Sequence, residues 1–282
     1  MLKTSRSIFS DNGVLTDISV ETNDYKNQTV LIPAVTAEDF LYVASDFPFN
    51  HRYIDVSVAN TASANLKIEV WDGTNWAEAH DVIDQTSMAG VPFSQSGHIS
   101  FRPDTDEGWM REDTNDDNET VTGLTTIKIF NMYWARFSWD STLDVTTAVN
   151  FIGHKFSEDD DLEVAYPVLN NAEVLTQFEP GKTNWNPQHF YAAELIIKDL
   201  KRRNIILTKN QILEWEFFKD ASIHKVAETA YRAFGKDFET ERNSARDLYQ
   251  RALDMSIYLI DENNNAVDDV REHVSRQRFL TR

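Results

Sequence analysis

The stretch that decides the fold is TKNQILEWEFFKDASIHKVAETAYRAFG, residues 208–235. Thr208–Gln211 fits a capping box, in which the Thr oxygen accepts from the amide three residues on and the Gln side chain reaches back. The apolar residues that follow recur with helical spacing: Ile223, Val226, Ala227, Ala230 and Phe234. Such a stripe predicts an amphipathic helix. Gly235 stands where a left-handed residue commonly ends a helix.

A second helix is predicted to begin near Asp237 or Phe238. Its main apolar stripe consists of Ala245, Leu248, Tyr249, Ala252, Met255 and Leu259. A second stripe on a neighbouring face consists of Leu253, Ile257 and Ile260. A helix with two apolar faces needs two surfaces to pack on. The first is its own domain, so that Leu248→Asp should unfold it. The second is either another subunit, with Leu253, Ile257 and Ile260 at the interface, or the middle of a small bundle.

Composition restricts the class of protein. The length of 282 residues suits two domains or one large one, and 41% hydrophobic residues suffice for a core. The chain has no cysteine, which excludes disulfides, thiolate metal sites and cysteine nucleophiles. No apolar run reaches the length of a transmembrane helix. The first residues lack the apolar region of a signal peptide, so none is expected.

The negative charge is concentrated in the first half of the chain. Residues 1–160 hold 10 Lys and Arg against 26 Asp and Glu, a net charge of −16. Residues 161–282 hold 17 against 20, a net charge of −3. The acidic half should repel nucleic acid at long range. The difference also predicts a domain boundary near residue 160.

The segment from Phe40 to Ile152 carries the short β-branched and aromatic runs of an all-β domain. Leu66–Trp71 alternates apolar and other residues as a half-buried strand does, and Asp72-Gly73 is a turn signal. Short strands with regular turns are typical of a β-sandwich or jelly roll. A long acidic loop is predicted over residues 104–120.

The predicted fold class is therefore α+β, with a β-sandwich or jelly-roll domain first and a helical bundle second. Residues 1–160 form the β domain with its acidic loops, 161–185 a linker, and 186–282 the helical domain with a basic tail. The charged run Ser157–Asp161 is the predicted hinge. Asn186 as N-cap and Pro187 as first helical residue should begin the first helix.

Catalytic motifs are not visible in the sequence. It has no Gly-rich phosphate loop, no Gly-x-Ser-x-Gly elbow and no His-Glu-x-x-His. His224 and Glu228 share a helix face and could seat a metal, although a surface hydrogen bond is the commoner role. Residues 261–272 approach EF-hand spacing, but Ala266 stands where Gly is required. We therefore predict no catalytic residue, no cofactor and no metal.

The β region contains five tryptophans: Trp71, Trp76, Trp109, Trp134 and Trp139. Exposed tryptophans beside acids and amides can stack on sugar rings, whereas in sandwiches Trp more often belongs to the core. The pattern leaves both interpretations open.

Two parts of the chain resemble proteins of tailed bacteriophages. Phe47-Pro-Phe-Asn50, the Val70–Trp76 hairpin and the Tyr133–Phe137 strand look like sandwich modules that such proteins carry. The helical half is similar to head-to-tail connector (adaptor) proteins of long-tailed phages, on the following segments: Lys198–Lys201, Ile205–Leu207, Ala221–Glu228 and Tyr231. The resemblance covers most of residues 40–282 and rests on scattered aromatic and apolar matches.

The resemblance implies a structural protein of the virion neck, made in the host cytoplasm and not bound to membrane. Adaptors of this family form a ring under the portal, commonly a dodecamer, which joins the portal to the tail. Genome DNA passes through the channel without specific binding. The family has no catalytic residues to carry over.

The C-terminal tail is predicted to dock on a partner, which would be the portal, another neck or tail protein, or an adjacent copy. It combines apolar anchors with arginines that suit carboxylates: Arg271, Arg276, Arg278, Phe279, Leu280 and Arg282. A solvated tail is the plain alternative. For the whole protein, the alternatives are a carbohydrate-binding tail or decoration protein and, with least support, a glycan hydrolase.

Overall fold

The computed structural model describes residues 5–26, 29–103, 108–112, 121–125, 127, 130–255, 258–261, 265–267 and 273–274. The chain divides into two compact units. Unit 1 comprises Met1–Gly153 with Asp261–Asp268, and unit 2 comprises His154–Ile260 with Asp269–Arg282. The division after Gly153 lies close to the change in net charge along the sequence.

Unit 1 consists mainly of β-strands, with one short helix, α1, at Ser19–Thr22. In chain order the strands are β1 Ser5–Asp11, β2 Val14–Asp17, β3 Val30–Leu31, β4 Phe40–Ser45, β5 His51–Val58, β6 Leu66–Trp71, β7 Trp76–Glu78, β8 His80–Asp84, β9 Gly97–Arg102, β10 Arg111–Glu112, β11 Met132–Trp139 and β12 Ala148–Gly153.

These strands form two antiparallel sheets. The seven-stranded sheet has the order β2-β1-β4-β11-β6-β7, with β10 paired to β11. The five-stranded sheet has the order β3-β12-β5-β9-β8. The largest core cluster of unit 1 takes residues from both sheets, among them Leu41 and Phe137 from the first and Ile54 and Ile152 from the second.

Strand β6 follows its predicted alternation on one face only. Ile68 and Val70 belong to the main core, as expected. Trp71, predicted to lie on the other, half-exposed face, is fully buried because Trp134, Val121 and neighbouring residues cover it. An alternating pattern in a strand predicts one buried face. It does not show whether a loop distant in sequence covers the other face.

The turn between β6 and β7 confirms the Asp72-Gly73 signal. Gly73 has φ of +102°, a conformation that glycine adopts without strain. The Asp72 carboxylate accepts from the backbone N–H of Thr74 at 2.6 Å and of Asn75 at 2.5 Å. This Asx-type turn sets the register in which Trp71 faces Trp76.

The acidic loop predicted at residues 104–120 needs a correction within its described part, residues 108–112. Strand β10 lies there and pairs with β11. Met110 N–H donates to the Trp71 carbonyl at 2.9 Å, and Trp71 Nε1–H donates to Glu112 Oε1 at 3.0 Å. The polar sequence therefore includes a segment held against the sheet.

Unit 2 is built mainly from helices. They are α2 Asp159–Ala165, α3 Ala172–Phe178, α4 Asn186–Arg202, α5 Lys219–Ala233 and α6 Glu239–Met255. Short 3-10 turns stand at Pro167–Asn170, Lys209–Gln211, Glu216–Phe218 and Gly235–Phe238. After α6 come two short paired strands, β13 Tyr258–Leu259 and β14 His273–Val274.

The prediction of an irregular linker at residues 161–185 is wrong. The segment holds most of α2, a 3-10 turn and all of α3. Leu162, Leu169 and Leu175 from these elements are buried in one of the two core clusters of unit 2. Each element is only one or two turns long, which is too short for a helical period to be recognised in sequence.

The charged run Ser157–Asp161, predicted as a solvated hinge, is also corrected. Ser157 is buried, and Glu158 and Asp161 form a capping box at the start of α2. Acidic residues in a first turn also suit the positive end of the helix dipole. The run is acidic because it begins a helix.

Helix α4 begins and ends close to its predicted position, and α5 ends where predicted but begins only at Lys219, well after the predicted capping box. α4 starts at Asn186, one residue earlier than predicted. Its N-cap is Trp185 and not Asn186, and Pro187 is its second residue and not its first. α5 buries Ile223, Val226, Ala227 and Ala230 of the predicted stripe, whereas Phe234 is its half-buried C-cap, and Gly235 beyond it has φ of +86°. The Thr208–Gln211 capping box is confirmed, but it caps a 3-10 turn and not an α-helix.

Helix α6 departs most from its predicted stripes. Ala245, Tyr249 and Leu253 are its buried residues, whereas Leu248 is 37% and Met255 82% exposed. The buried positions follow a four-residue spacing along a single line. Leu248 and Met255 lie outside that line, so the wider stripe inferred from the sequence is wrong for these two residues.

Candidate functional site

The residues predicted to contact partners are only partly within the described chain. Ile257 and all six predicted tail residues, Arg271, Arg276, Arg278, Phe279, Leu280 and Arg282, lie outside the described residues. Leu253 and Ile260 are buried in the core of unit 2, at 0% and 2% exposure. Their own unit already covers both side chains, so the prediction that they form a subunit interface needs correction.

The tryptophans of unit 1 are mostly structural. Trp71, Trp134 and Trp139 are buried. Trp76 and Trp109 are half-buried, and each donates its indole N–H to a backbone carbonyl, at 2.9 Å to Thr122 and 3.0 Å to Trp134. Only the exposed parts of the Trp76 and Trp109 rings could therefore stack on a sugar.

One of these rings belongs to a small polar and aromatic stack on unit 1. The Arg136 guanidinium lies over both the Phe40 ring, 4.8 Å from its centroid, and the Trp76 ring, at 4.9 Å. Arg136 Nε–H donates to Glu69 Oε2 at 2.6 Å. Burial by itself would raise the pKa of Glu69, but the hydrogen bond and charge of Arg136 outweigh it and lower the pKa. The charged groups of this stack therefore pair with each other, and part of the stack is exposed to solvent.

His224 and Glu228, considered as a metal pair, have other partners. Tyr166 Oη lies 2.8 Å from His224 Nδ1, within hydrogen-bonding distance, and Glu228 binds Lys225 at 2.7 Å. Burial raises the pKa of Tyr166 to about 12 and lowers that of His224, so both groups of this pair are neutral at neutral pH. Among the described residues, His, Asp and Glu side chains form no cluster suited to a metal ion.

An elaborate polar arrangement in unit 2 is a chain of four side chains, three of which are buried. Ser157 Oγ lies 2.7 Å from His189 Nδ1, and His189 Nε2 lies 3.1 Å from Asp159 Oδ1. Ser222 Oγ of α5 lies 2.7 Å from Ser157 Oγ. Ser157, His189 and Ser222 are all essentially inaccessible to solvent. We call this set the serine–histidine relay.

The carboxylate fixes the direction of the hydrogen bonds in this relay. An ionised Asp159 can only accept, so neutral His189 carries its proton on Nε2 and donates it there. Nδ1 is then an acceptor, which requires the Ser157 hydroxyl to donate to it. Burial, the main cause, lowers the pKa of His189 and keeps the ring neutral.

Asp159 also organises the start of α4. Its two oxygens accept from the backbone N–H of Trp185 at 3.0 and 3.1 Å. Burial alone would raise the pKa of Asp159, but the hydrogen bonds from His189 and Trp185 outweigh it, and the pKa is lowered. Asp159 therefore stays ionised at neutral pH and ties the start of α2 to the start of α4.

A buried cation completes the surroundings. Lys155 is fully buried; its ammonium binds the Glu158 carboxylate and the Asn186 side-chain oxygen, the latter at 2.8 Å. The Lys155 ammonium also lies 5.3 Å from the centroid of the Phe190 ring. Paired and hydrogen-bonded, this charge can remain inside the protein.

The serine–histidine relay has the residue types of a nucleophilic triad, but its serine is not accessible to a substrate. A catalytic serine must reach a substrate, with donors placed for the developing oxyanion. Ser157 is 2% exposed. In this conformation its hydroxyl contacts protein groups, and the relay links the segment before α2 to α4 and α5.

Unit 2 also carries a surface of aromatic rings, which we call the aromatic corner: Tyr166, Phe178, Tyr231, Phe234 and Phe238. Neighbouring ring centroids are 5.4–6.2 Å apart along the line Tyr166–Tyr231–Phe238–Phe234–Phe178. Tyr231 is buried, and the other four rings are half-buried. The corner therefore places four partly accessible rings next to one another, packed against a core cluster of unit 2.

Neither the relay nor the corner was predicted from the sequence. The relay joins residues 32 and 65 positions apart, and no local spacing marks such partners. Phe234, Gly235 and Phe238 were noted as helix signals only. The cluster of aromatic residues around the predicted helix end was the available clue to this half-buried aromatic surface.

Comparison of the chain with protein-family models, with curated protein sequences and with solved structures found no match. Within the described part of the chain, no helix is both long and apolar enough to cross a membrane.

Proposed function

We propose that the protein is a structural assembly protein that binds other proteins through the aromatic corner of unit 2. The observation that carries this proposal is the set of four half-buried rings around the buried Tyr231. Aromatic side chains are enriched at the cores of protein interfaces and among the residues that dominate binding energy. A rigid ring also loses little conformational entropy when a partner covers it.

More specifically, we propose a head-to-tail adaptor in the neck of a long-tailed bacteriophage virion. The supporting resemblance lies partly on Lys198–Lys201 in α4 and on Ala221–Glu228 in α5. In α5 the matching residues Ala221, Val226 and Ala227 are core residues, so the likeness concerns how the unit packs. In this proposal the chain forms a ring, dodecameric as in the family, that joins portal to tail and surrounds the DNA without binding it specifically.

We infer that the two sheets of unit 1 pack as a β-sandwich of the jelly-roll kind. The shared core cluster supports this, as does the chain path from β4 in one sheet to β5 in the other and back to β6. Likewise, we infer that α4, α5 and α6 form the helical bundle of the adaptor. α5 supplies residues to both core clusters of unit 2, as the middle helix of a bundle would.

The basic tail has a separate role in this proposal. Its arginines and the Phe279-Leu280 pair would order on a carboxylate-bearing neighbour, such as the portal or the acidic first half of an adjacent copy. Truncation after Val274, which keeps strand β14, should leave the melting temperature unchanged and abolish ring assembly or portal binding. Normal assembly of the truncated chain would refute the tail's role.

Mass photometry and electron microscopy of the purified chain test the proposal as a whole. The expected result is a ring whose mass is a multiple of 32.5 kDa, or binding to the portal protein of the same virus. Phe238→Ala should weaken assembly while circular dichroism stays unchanged. Tyr191→Ala is the control, because Tyr191 is an exposed ring on α4 outside the corner. A chain that stays monomeric and ignores the portal would refute the adaptor role.

A carbohydrate-binding tail or decoration protein is the second candidate. The half-buried Phe40 and Trp76 rings beside Arg136 and Glu69 are the observation that favours it, since aromatic faces with charged neighbours can hold sugars. A glycan array separates the two candidates. Binding that Trp76→Ala abolishes, without change in assembly, would favour this second function.

A further inference from the structure

We propose that unit 2 contains an acid-sensitive latch, in which protonation of His189 loosens residues 154–158 from α4 and α5. The latch is the serine–histidine relay described above. It would operate whether or not the protein is an adaptor, because it depends only on contacts inside unit 2.

At neutral pH each group in the relay has one consistent role. His189 Nε2–H donates to Asp159, Ser157 O–H donates to His189 Nδ1, and Ser222 O–H can donate to Ser157 Oγ. Segment 154–158 is therefore fastened to α4 through His189 and to α5 through Ser222. Phe156 of the same segment is buried in a core cluster that includes residues of both helices.

The charged and titratable groups around His189 come from each neighbouring element. The segment before α2 contributes Lys155 and Glu158, which bind each other, and α2 itself contributes Asp159. α4 contributes Asn186 beside Lys155, and α5 contributes the hydroxyl of Ser222. Lys182, in the turn before α4, adds positive charge near Asp159. Asp159 favours a charged imidazole, whereas Lys155 and burial oppose it.

Protonation reverses the relay. A proton on Nδ1 turns His189 into a donor at both nitrogens, so the Ser157 hydroxyl can no longer donate to it. That hydroxyl turns towards Ser222, so that Ser157 accepts from His189 and donates to Ser222 Oγ, and the direction of both hydrogen bonds is reversed. The imidazolium would also be buried beside the Lys155 ammonium. The closed latch therefore disfavours the proton, and the open latch, with His189 in water, accepts it.

The sign of the pH effect follows from this difference. Burial lowers the pKa of His189 in the closed state, while an open, hydrated imidazole titrates near its ordinary pKa of about 6.5. The population of the closed state is therefore highest above that pH and decreases as the pH falls below it. Between pH 7.5 and pH 5.5 the open population should rise by at most about tenfold, which is the limit for a closed state that stays unprotonated throughout this range.

Hydrogen exchange of the full-length chain, followed by mass spectrometry, can measure this opening. Exchange times are adjusted so that the intrinsic chemical rates at pH 7.5 and pH 5.5 match. Peptides covering residues 154–162 and 185–190 should lose about tenfold in protection at the lower pH, if the closed latch resists protonation throughout this range. Equal protection at the two pH values would overturn the proposal.

Three variants assign the response to a particular histidine. His189→Gln cannot titrate and should abolish the acid response in both peptides. His224→Gln removes a half-buried imidazole from the same unit and should keep it. His154→Gln removes the other histidine in the segment, which lies 3.4 Å from Asn210, and should also keep it. If His154→Gln abolishes the response and His189→Gln does not, the latch is assigned to the wrong residue.

A second measurement does not depend on a variant that folds. Nitrogen NMR of the imidazoles in the parent chain reports tautomer and protonation directly. The expected result is one histidine held as the Nε2–H tautomer at pH 7.5, with a titration midpoint below that of His in a peptide. An Nδ1–H tautomer, or an imidazolium at pH 7.5, for His189 would overturn the proposal.

Discussion

Helices α5 and α6 look alike in sequence but differ in how they are buried. α5 buries seven of its 15 residues, whereas α6 buries three of its 17. The three in α6, Ala245, Tyr249 and Leu253, lie four residues apart and form one line. Similar apolar spacing therefore predicted two helices correctly, but it did not predict how wide a face each one buries.

The difference comes from the number of neighbours. α5 contacts α2, α4 and α6, so several of its sides are covered. Apart from a short turn, α6 packs mainly against α5. Polar contacts join α6 to α4 and its C-cap: Tyr249 O–H donates to Asp199 at 2.6 Å, and Arg203 pairs with Asp254 at 2.9 Å. A central helix and an outer helix should therefore respond differently to the same kind of substitution.

The largest effect is expected for Val226→Asp in α5. Val226 is fully buried, and a carboxylate there would lack a partner. An unpaired buried charge costs several kcal/mol, comparable to a total stability of roughly 5–15 kcal/mol. Circular dichroism should show loss of helix in unit 2. Val164→Asp, at a valine 88% exposed on α2, is the control and should fold normally. A folded Val226→Asp chain would mean that α5 is not central.

Leu253→Ala in α6 should have the next largest effect. Leu253 is fully buried, and truncating a core leucine typically costs about 2–5 kcal/mol. Urea unfolding of unit 2 would give the loss. Met255→Ala, two residues later and 82% exposed, should cost less than about 0.5 kcal/mol. Equal losses for the two variants would refute the single buried line on α6.

The sequence predicted what is local in this comparison. Val226 and Ala227 were identified as core from their spacing, and Gly235 as the helix end from its position. Leu248 was predicted to be buried because it shares a face with Tyr249, yet burial depends on which neighbour that face meets. Ser157 was predicted to belong to a solvated run because its hydrogen-bond partner, His189, is 32 residues away and is not visible in the local sequence. Tertiary partners override local pattern in both cases.

Tyr249→Phe tests the polar contact between α6 and α4. The variant keeps the buried ring and removes only the hydroxyl that donates to Asp199. A hydrogen bond to a charged group is worth about 1.5–3 kcal/mol, and the partial exposure of Asp199 should place the loss near the lower limit. Burial, followed by Asp199, raises the pKa of Tyr249, so the hydroxyl remains a donor at pH 6 and pH 8 alike. Different losses at these two pH values would contradict this account.

The smallest effect is expected for Leu248→Asp, the substitution that the sequence alone would rank among the most damaging. Leu248 is 37% exposed, so the variant forfeits only part of the roughly 1.5–3 kcal/mol gained by burying a leucine. The new carboxylate can remain hydrated, and Arg251, three residues on, offers it an ion pair. We expect a loss of about 1 kcal/mol in urea unfolding, with helix content intact.

The Leu248→Asp experiment also separates the isolated chain from an assembly. If a second copy or another neck protein covers this side of α6, the dilute chain should still unfold with the small loss expected above, while assembly measured by mass photometry should fail. If assembly is unaffected, the side of α6 that carries Leu248 faces solvent in the complex as well. If unit 2 unfolds outright, α6 is enclosed on both sides, and the contrast with α5 disappears.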